Sequence, residues 1–143
     1  MKVLVIRAEY GKVVESDIVE GDLYEVTKEE VKRVIDEWEP RKSDFVVARD
    51  VREIEIKLPI DPALYDALRD AGIPLSRGKD KASAMLPIIL VSFDSTIITE
   101  DEYQENKVLL IAPYINDDLR AELEAEAAEI TSPKKGAEGI IEA

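Results

Sequence analysis

Met85-Leu86-Pro87-Ile88-Ile89-Leu90-Val91-Ser92-Phe93 is the most apolar stretch of this 143-residue chain. Nine residues are too few for a membrane span, which needs about 20. A short continuous apolar run bounded by polar segments reads as a β-strand covered on both faces. Pro87 lacks an amide donor, so pairing is expected to begin beyond it. A central strand of this kind needs neighbours, and the flanking sequence offers them.

Upstream, Val51 to Leu58 alternates, with Ile54, Ile56 and Leu58 on one face and Glu53, Glu55 and Lys57 on the other. That pattern predicts a half-buried strand with one wet face. Phe45-Val46-Val47-Ala48 reads as a separate short strand before it. Asp61-Pro62 is an N-cap followed by proline at the first helical position, and Gly72 with Pro74 closes that helix. Downstream, Lys107 to Ala112 predicts another buried strand, through Val108, Leu109, Leu110 and Ile111. Thr99-Glu100-Asp101-Glu102 has capping-box spacing and predicts a short helix or turn. Asn116 is placed to cap a last helix over 117–130, with Leu119, Leu123, Ala127 and Ile130 facing inward.

Near the start, residues 2–9 and 12–20 read as a hairpin turning at Tyr10-Gly11-Lys12. Leu23-Tyr24-Glu25-Val26 reads as a short extended piece. Thr27 to Glu30 forms a second capping box, and Val31, Val34, Ile35 and Trp38 follow at helical spacing. Strands arriving in pairs, with helices between some of them, predict an α+β fold. The expected core is a mixed or antiparallel sheet of five to six strands with three to four helices packed on it. Residues 1–130 are expected to form a single α+β domain, and 131–143 a flexible C-terminal tail.

Composition narrows the chemistry. The chain has neither histidine nor cysteine. Disulfides, thiolate nucleophiles, and imidazole- or thiolate-bound metals are therefore excluded, as are Ser-His-Asp and Cys-His catalysis. No cofactor or metal site is expected. The formal charge is −13, which repels nucleic acid and anionic membranes. The expected setting is cytoplasmic, without a nucleic-acid or membrane partner. Charged residues make up 36% of the chain, while Gln104, Asn106 and Asn116 are its only side-chain amides. That balance is the pattern of heat-adapted proteins and predicts a thermostable molecule.

Two candidate sites emerge. Ser76, Arg77, Lys79, Lys81 and Ser83 cluster around Gly78 in a segment, 73–84, that reads as a loop. Cations, hydroxyls and exposed amides are what a phosphate or carboxylate requires. The segment is not a phosphate-binding P-loop. Five residues separate Gly72 from Gly78 where four are needed, and Asp80 follows Lys79 where serine or threonine belongs. The second candidate is Asp94, read as a strand-end carboxylate after the apolar run. Acidic clusters at 15–22, 100–102 and 122–129 lack the spacing of a calcium loop, and helix-dipole or solubility roles account for them.

These residues suggest a non-catalytic binding or assembly module that takes a small anionic metabolite at 76–83. The alternative is a small enzyme pairing Asp94 with Lys79 or Lys81 on a phosphorylated or carboxylated substrate. The alanines of the last helix permit close packing against the sheet or a second subunit. Symmetric dimers are the commonest oligomers, so a homodimer is expected.

Overall fold

The computed structural model describes residues 1–38, 45–99 and 102–132, with backbone alone at 38, 94–99 and 102–106. Its elements in chain order are β1 (Lys2–Glu9), β2 (Lys12–Glu20), α1 (Leu23–Trp38), β3 (Phe45–Lys57), α2 (Pro62–Asp70), β4 (Leu75–Arg77), β5 (Lys81–Thr99), β6 (Glu102–Pro113) and α3 (Asp117–Thr131). The strands form one six-stranded antiparallel sheet in the order β2-β1-β6-β5-β3, with β4 pairing β5 alongside that path. The expected α+β class holds, with three helices among the described residues. No helix among the described residues is long and apolar enough to cross a membrane.

Side-chain alternation sorts the core into two layers. Leu4, Ile6 and Ala8 of β1, Leu86 and Ile88 of β5, and Val108, Leu110 and Ala112 of β6 face α2 and α3. Leu119, Leu123 and Ala127 of α3 and Leu68 of α2 close that layer. Val3, Val5, Ile89, Val91, Phe93, Leu109 and Ile111 point the other way, onto Leu23, Val26 and Val34 of α1. The sheet is thus a central layer with a helix on one face and two on the other. The small side chain of Ala127 packs against the protein's own sheet, which accounts for part of the alanine content of α3.

The caps explain where the helices begin. Asp61 Oδ1 accepts from the Ala63 amide, and Asn116 Oδ1 accepts from the Leu119 amide at 2.9 Å, as the sequence suggested. The first helix differs. It starts at Leu23, because Asp22 Oδ2 accepts from the Tyr24 and Glu25 amides at 3.1 and 3.3 Å. Thr27 lies inside the helix, its hydroxyl donating to the Leu23 carbonyl, so neither a strand at 23–26 nor a cap at Thr27 exists. Gly21 enters with φ +155, and a Cβ there would meet Val26 Cγ2 at 2.9 Å. At the β1–β2 turn, Tyr10 and Gly11 both have positive φ, as a two-residue hairpin loop requires.

Three further expectations are corrected. Residues 45–57 form one continuous strand, not two, pairing β5 from Phe45↔Phe93 to Lys57↔Lys81. Thr99 ends β5 and Glu102 begins β6, so of the expected short helix or turn at 99–102 the helix is ruled out. Pairing does not begin beyond Pro87; Val51 lies opposite it. The proline is tolerated because no described strand pairs with the other edge of β5 there: the β4 register ends at Ala84 and the β6 register begins at Ile89. At the C-terminus, Thr131 and Ser132 belong to the folded part, Thr131 Oγ1 accepting from the Gly11 amide at 2.9 Å. The rest of the expected tail, 133–143, lies outside the described residues.

Candidate functional site

The segment 76–83 is a tight hairpin rather than a loop. Ser76 pairs with Ser83 and Arg77 with Ala82, and the Gly78 amide donates to the Lys81 carbonyl at 2.8 Å. Ser83 also lies opposite Glu55 of β3, so Ser76, Ser83 and Glu55 share one row across three strands. A shallow cavity of about 320 Å³ is lined by Ser76, Arg77, Lys81 and Ser83 together with Glu53 and Glu55. Four of the five sequence-named residues therefore come together, while Lys79 is not part of the lining. Lys81 Nζ lies 3.3 Å from Glu55 Oε1. Two cations face two carboxylates, and an entering anion meets both.

Asp94 is not at a strand end. β5 continues to Thr99, and the Asp94 side chain lies outside the described residues. Thirteen residues of the same strand separate it from Lys81, roughly 43 Å at ~3.3 Å per residue. The structure does not bring Asp94 and Lys79 or Lys81 to one place, so the enzyme alternative has no shared centre. Among the described residues no group of three or more carboxylates is placed to hold a metal ion.

Two further surface features were not singled out by the sequence. The first is a groove of about 610 Å³ between α1 and β3, with Val31, Ile35, Phe45, Val47 and Ile89 on its walls. Arg49 crosses it, its guanidinium 4.8 Å from the Tyr24 ring centre, and Phe45 stacks toward Phe93 with ring centres 5.8 Å apart. Lys28 and Lys32 stand on its helical side and carry no ion pair among the described residues.

The second is the outer edge of β3. This 13-residue strand ends the sheet, and β5 is its only neighbour among the described strands. Val46, Val47 and Val51 are exposed at 66%, 48% and 52%. The direction of its amides follows from two bonds. The Val51 amide donates to Asp50 Oδ1 at 2.8 Å, so it points away from β5. Independently, the Lys81 carbonyl is used toward β4, so its β3 partner Lys57 also points outward. By strict alternation, the main-chain groups of Phe45, Val47, Arg49, Val51, Glu53, Glu55 and Lys57 face the open edge.

A buried cation lies elsewhere, on β1. Arg7, 6% exposed, donates from Nη1 to Glu37 Oε2 at 2.7 Å and stands 3.5 and 3.8 Å from Glu9 and Glu15. Arg33 extends the network to Glu15 at 3.0 Å and Glu30 at 2.7 Å. The hydrogen bond from Arg7, and then its charge, hold the Glu37 carboxyl below the usual carboxylate range. The hydrogen bond to Glu30 raises the Arg33 guanidinium further. Arg7 and Arg33 are both answered by carboxylates, so the network ties α1 to the β1–β2 hairpin and offers no unanswered cation to an anionic ligand.

Residues 2–132 match the family described as "Uncharacterized protein conserved in archaea (DUF2286)", and the chain belongs to that family. No curated protein and no solved structure shows significant similarity to it.

Proposed function

We propose that this archaeal family member is a non-catalytic assembly module that joins to a second copy of itself through the free edge of β3. One observation carries the reading: a long terminal strand presents a row of outward main-chain groups beside exposed valines, and among the described residues Asp50 alone holds one of its outward amides. Long edges with exposed apolar side chains are templates for strand addition.

Charge favours a second copy. Arg49, Arg52 and Lys57 balance Asp50, Glu53 and Glu55, so β3 is neutral within a chain of −13. Two such molecules repel one another least where these strands meet. α3 packs over β6, β1 and β2 and α1 over the middle of the sheet; α3 reaches β3 through the ion pair of Glu126 with Arg52, on the face of the strand rather than along its outer main-chain groups.

Hydrogen exchange tests the reading. The amides of Val47, Arg49, Val51 and Glu53 are expected to be slow in concentrated protein and fast on dilution. Equal, fast exchange at both concentrations would refute it. A second reading, a small-anion site at 76–83, has the convergence of Arg77 and Lys81 with Ser76 and Ser83 in its favour. Glu53 and Glu55 in the same cavity oppose it. Inorganic phosphate is expected to leave the melting temperature unchanged, and a shift removed by Arg77→Ala would restore that reading.

A further inference from the structure

We infer that the two copies pair antiparallel about a two-fold axis through Val51, with Arg49 of each strand opposite Glu53 of the other and Asp50 opposite Arg52. This rests on the assembly reading above and adds the register.

Geometry limits the choices. Outward residues of one strand must face outward residues of the other, so odd-numbered positions oppose odd-numbered positions. In a two-fold arrangement one residue then meets itself on the axis. Centring on Val51 places Val51 against Val51, Arg49 against Glu53, Asp50 against Arg52, Val47 against Glu55 and Ala48 against Ile54. Val51 is also the midpoint of Phe45–Lys57, so all thirteen residues overlap.

Neighbouring registers are penalised. Shifting the centre to Asp50 sets two carboxylates face to face, and shifting it to Arg52 sets two guanidinium groups together. Centring on Arg49 or Glu53 does the same with those charges. Like charges directly opposite are destabilising, while opposite charges contribute favourably. In the Val51 register the like-charged Asp50–Asp50 and Arg52–Arg52 neighbours lie only on diagonals, where the reach is longer.

The same register disposes of the groove. Each copy lays its Glu53 and Glu55 alongside Arg49 and Val47 of the other, at the mouth bordered by Lys28 and Lys32. These lysines, unpaired among the described residues of one chain, then have carboxylates on their side of the sheet. Asp50 exchanges its hold on the Val51 amide for the Arg52 guanidinium across the seam, which within its own chain pairs with Glu126 of α3 and then stands between the two carboxylates. In the single chain that carboxylate shields the edge.

The absence of cysteine makes the register readable. Val51→Cys introduces the only thiol, and a hydrogen-bonded pair on the axis has Cα atoms about 5.5 Å apart, within disulfide reach. Glu55→Cys puts the two thiols eight residues apart along the seam. Oxidation of the full chain is expected to link Val51→Cys at least tenfold faster than Glu55→Cys. Arg49→Glu and Glu53→Arg are each expected to weaken the dimer at least tenfold, and the double exchange to restore it to within about threefold.

Faster linking of Glu55→Cys, or no recovery in the double variant, would overturn the register. If the outward amides still show concentration-dependent protection, the assembly reading survives that failure. If protection is independent of concentration and vanishes in a chain ending at Ser132, the strand's own C-terminal segment occupies the edge. Both readings then fall.

Discussion

Replacing Val51 by proline should leave the fold nearly intact, whereas proline one residue later should damage it. The Val51 amide points out of the sheet and, among the described residues, bonds to Asp50 alone, so the substitution removes one exposed hydrogen bond, worth ~1 kcal/mol at most. The stiffer unfolded chain returns ~0.4–1 kcal/mol. The Arg52 amide faces β5 opposite Leu86, a residue with no exposed surface. Proline there leaves a buried carbonyl without its donor, at ~1–3 kcal/mol, and the ring distorts the ladder further. At about 4 °C per kcal/mol for a chain of this size, Val51→Pro should melt within about 4 °C of Val51→Ala. Arg52→Pro should melt at least about 4–12 °C below Arg52→Ala, the ring distortion adding to that loss. Circular dichroism melts, at dilutions where scattering gives monomers for all four variants, decide the matter. Equal losses, or a larger loss at position 51, would refute the assignment of which amides face outward.

Other consequences follow from the core and the ion network. Leu123 has no exposed surface and anchors α3 to the sheet, so Leu123→Ala should cost ~2–5 kcal/mol in a denaturant titration. Glu37 has a folded-state pKa below its unfolded value, so its contribution is present above the ordinary carboxylate pKa and is lost as pH falls through the folded value. Acid titration of Glu37→Gln should therefore show a smaller loss of stability below about pH 4.3 than the parent chain. Ion networks gain relative value on heating, and with the composition they lead to a melting midpoint above the ~45–65 °C range of mesophile domains. A midpoint inside that range would remove the heat-adaptation reading.

Much of the fold was legible because local chemistry and tertiary structure agree. The run at 85–93, the Asp61-Pro62 entry to α2, the Gly72 exit and the Asn116 cap each act through neighbours in sequence. Errors arose where two local signals competed. Thr27 to Glu30 has capping-box spacing, yet Asp22 behind Gly21 caps four residues earlier, and Thr27 turns its hydroxyl back to Leu23 within the helix. Arg49-Asp50 looked like a break between strands. It is polar because β3 lies at the sheet's margin, where charges interrupt an apolar strand without ending it. Thr99 to Glu102 has helix-start residues, but the long register between β5 and β6 overrides that preference.

The candidate site was less legible. Which strand ends a sheet is set by long-range order, and no spacing within 45–57 announces it. The balanced charges on either side of Val51 are visible in the sequence, but they acquire meaning only once β3 is known to have an open side. The cluster at 76–83 was found from its cations. The carboxylates that oppose an anion there come from β3, some 25 residues earlier in the chain.

The most direct test is the mass of the intact protein by light scattering across a dilution series, with Val51→Pro alongside. The expected result is twice the monomer mass at high concentration, dissociating on dilution, and a monomer throughout for the proline variant. A parent chain that stays monomeric at every concentration, or a proline variant that dimerises equally well, would contradict edge-to-edge pairing through β3.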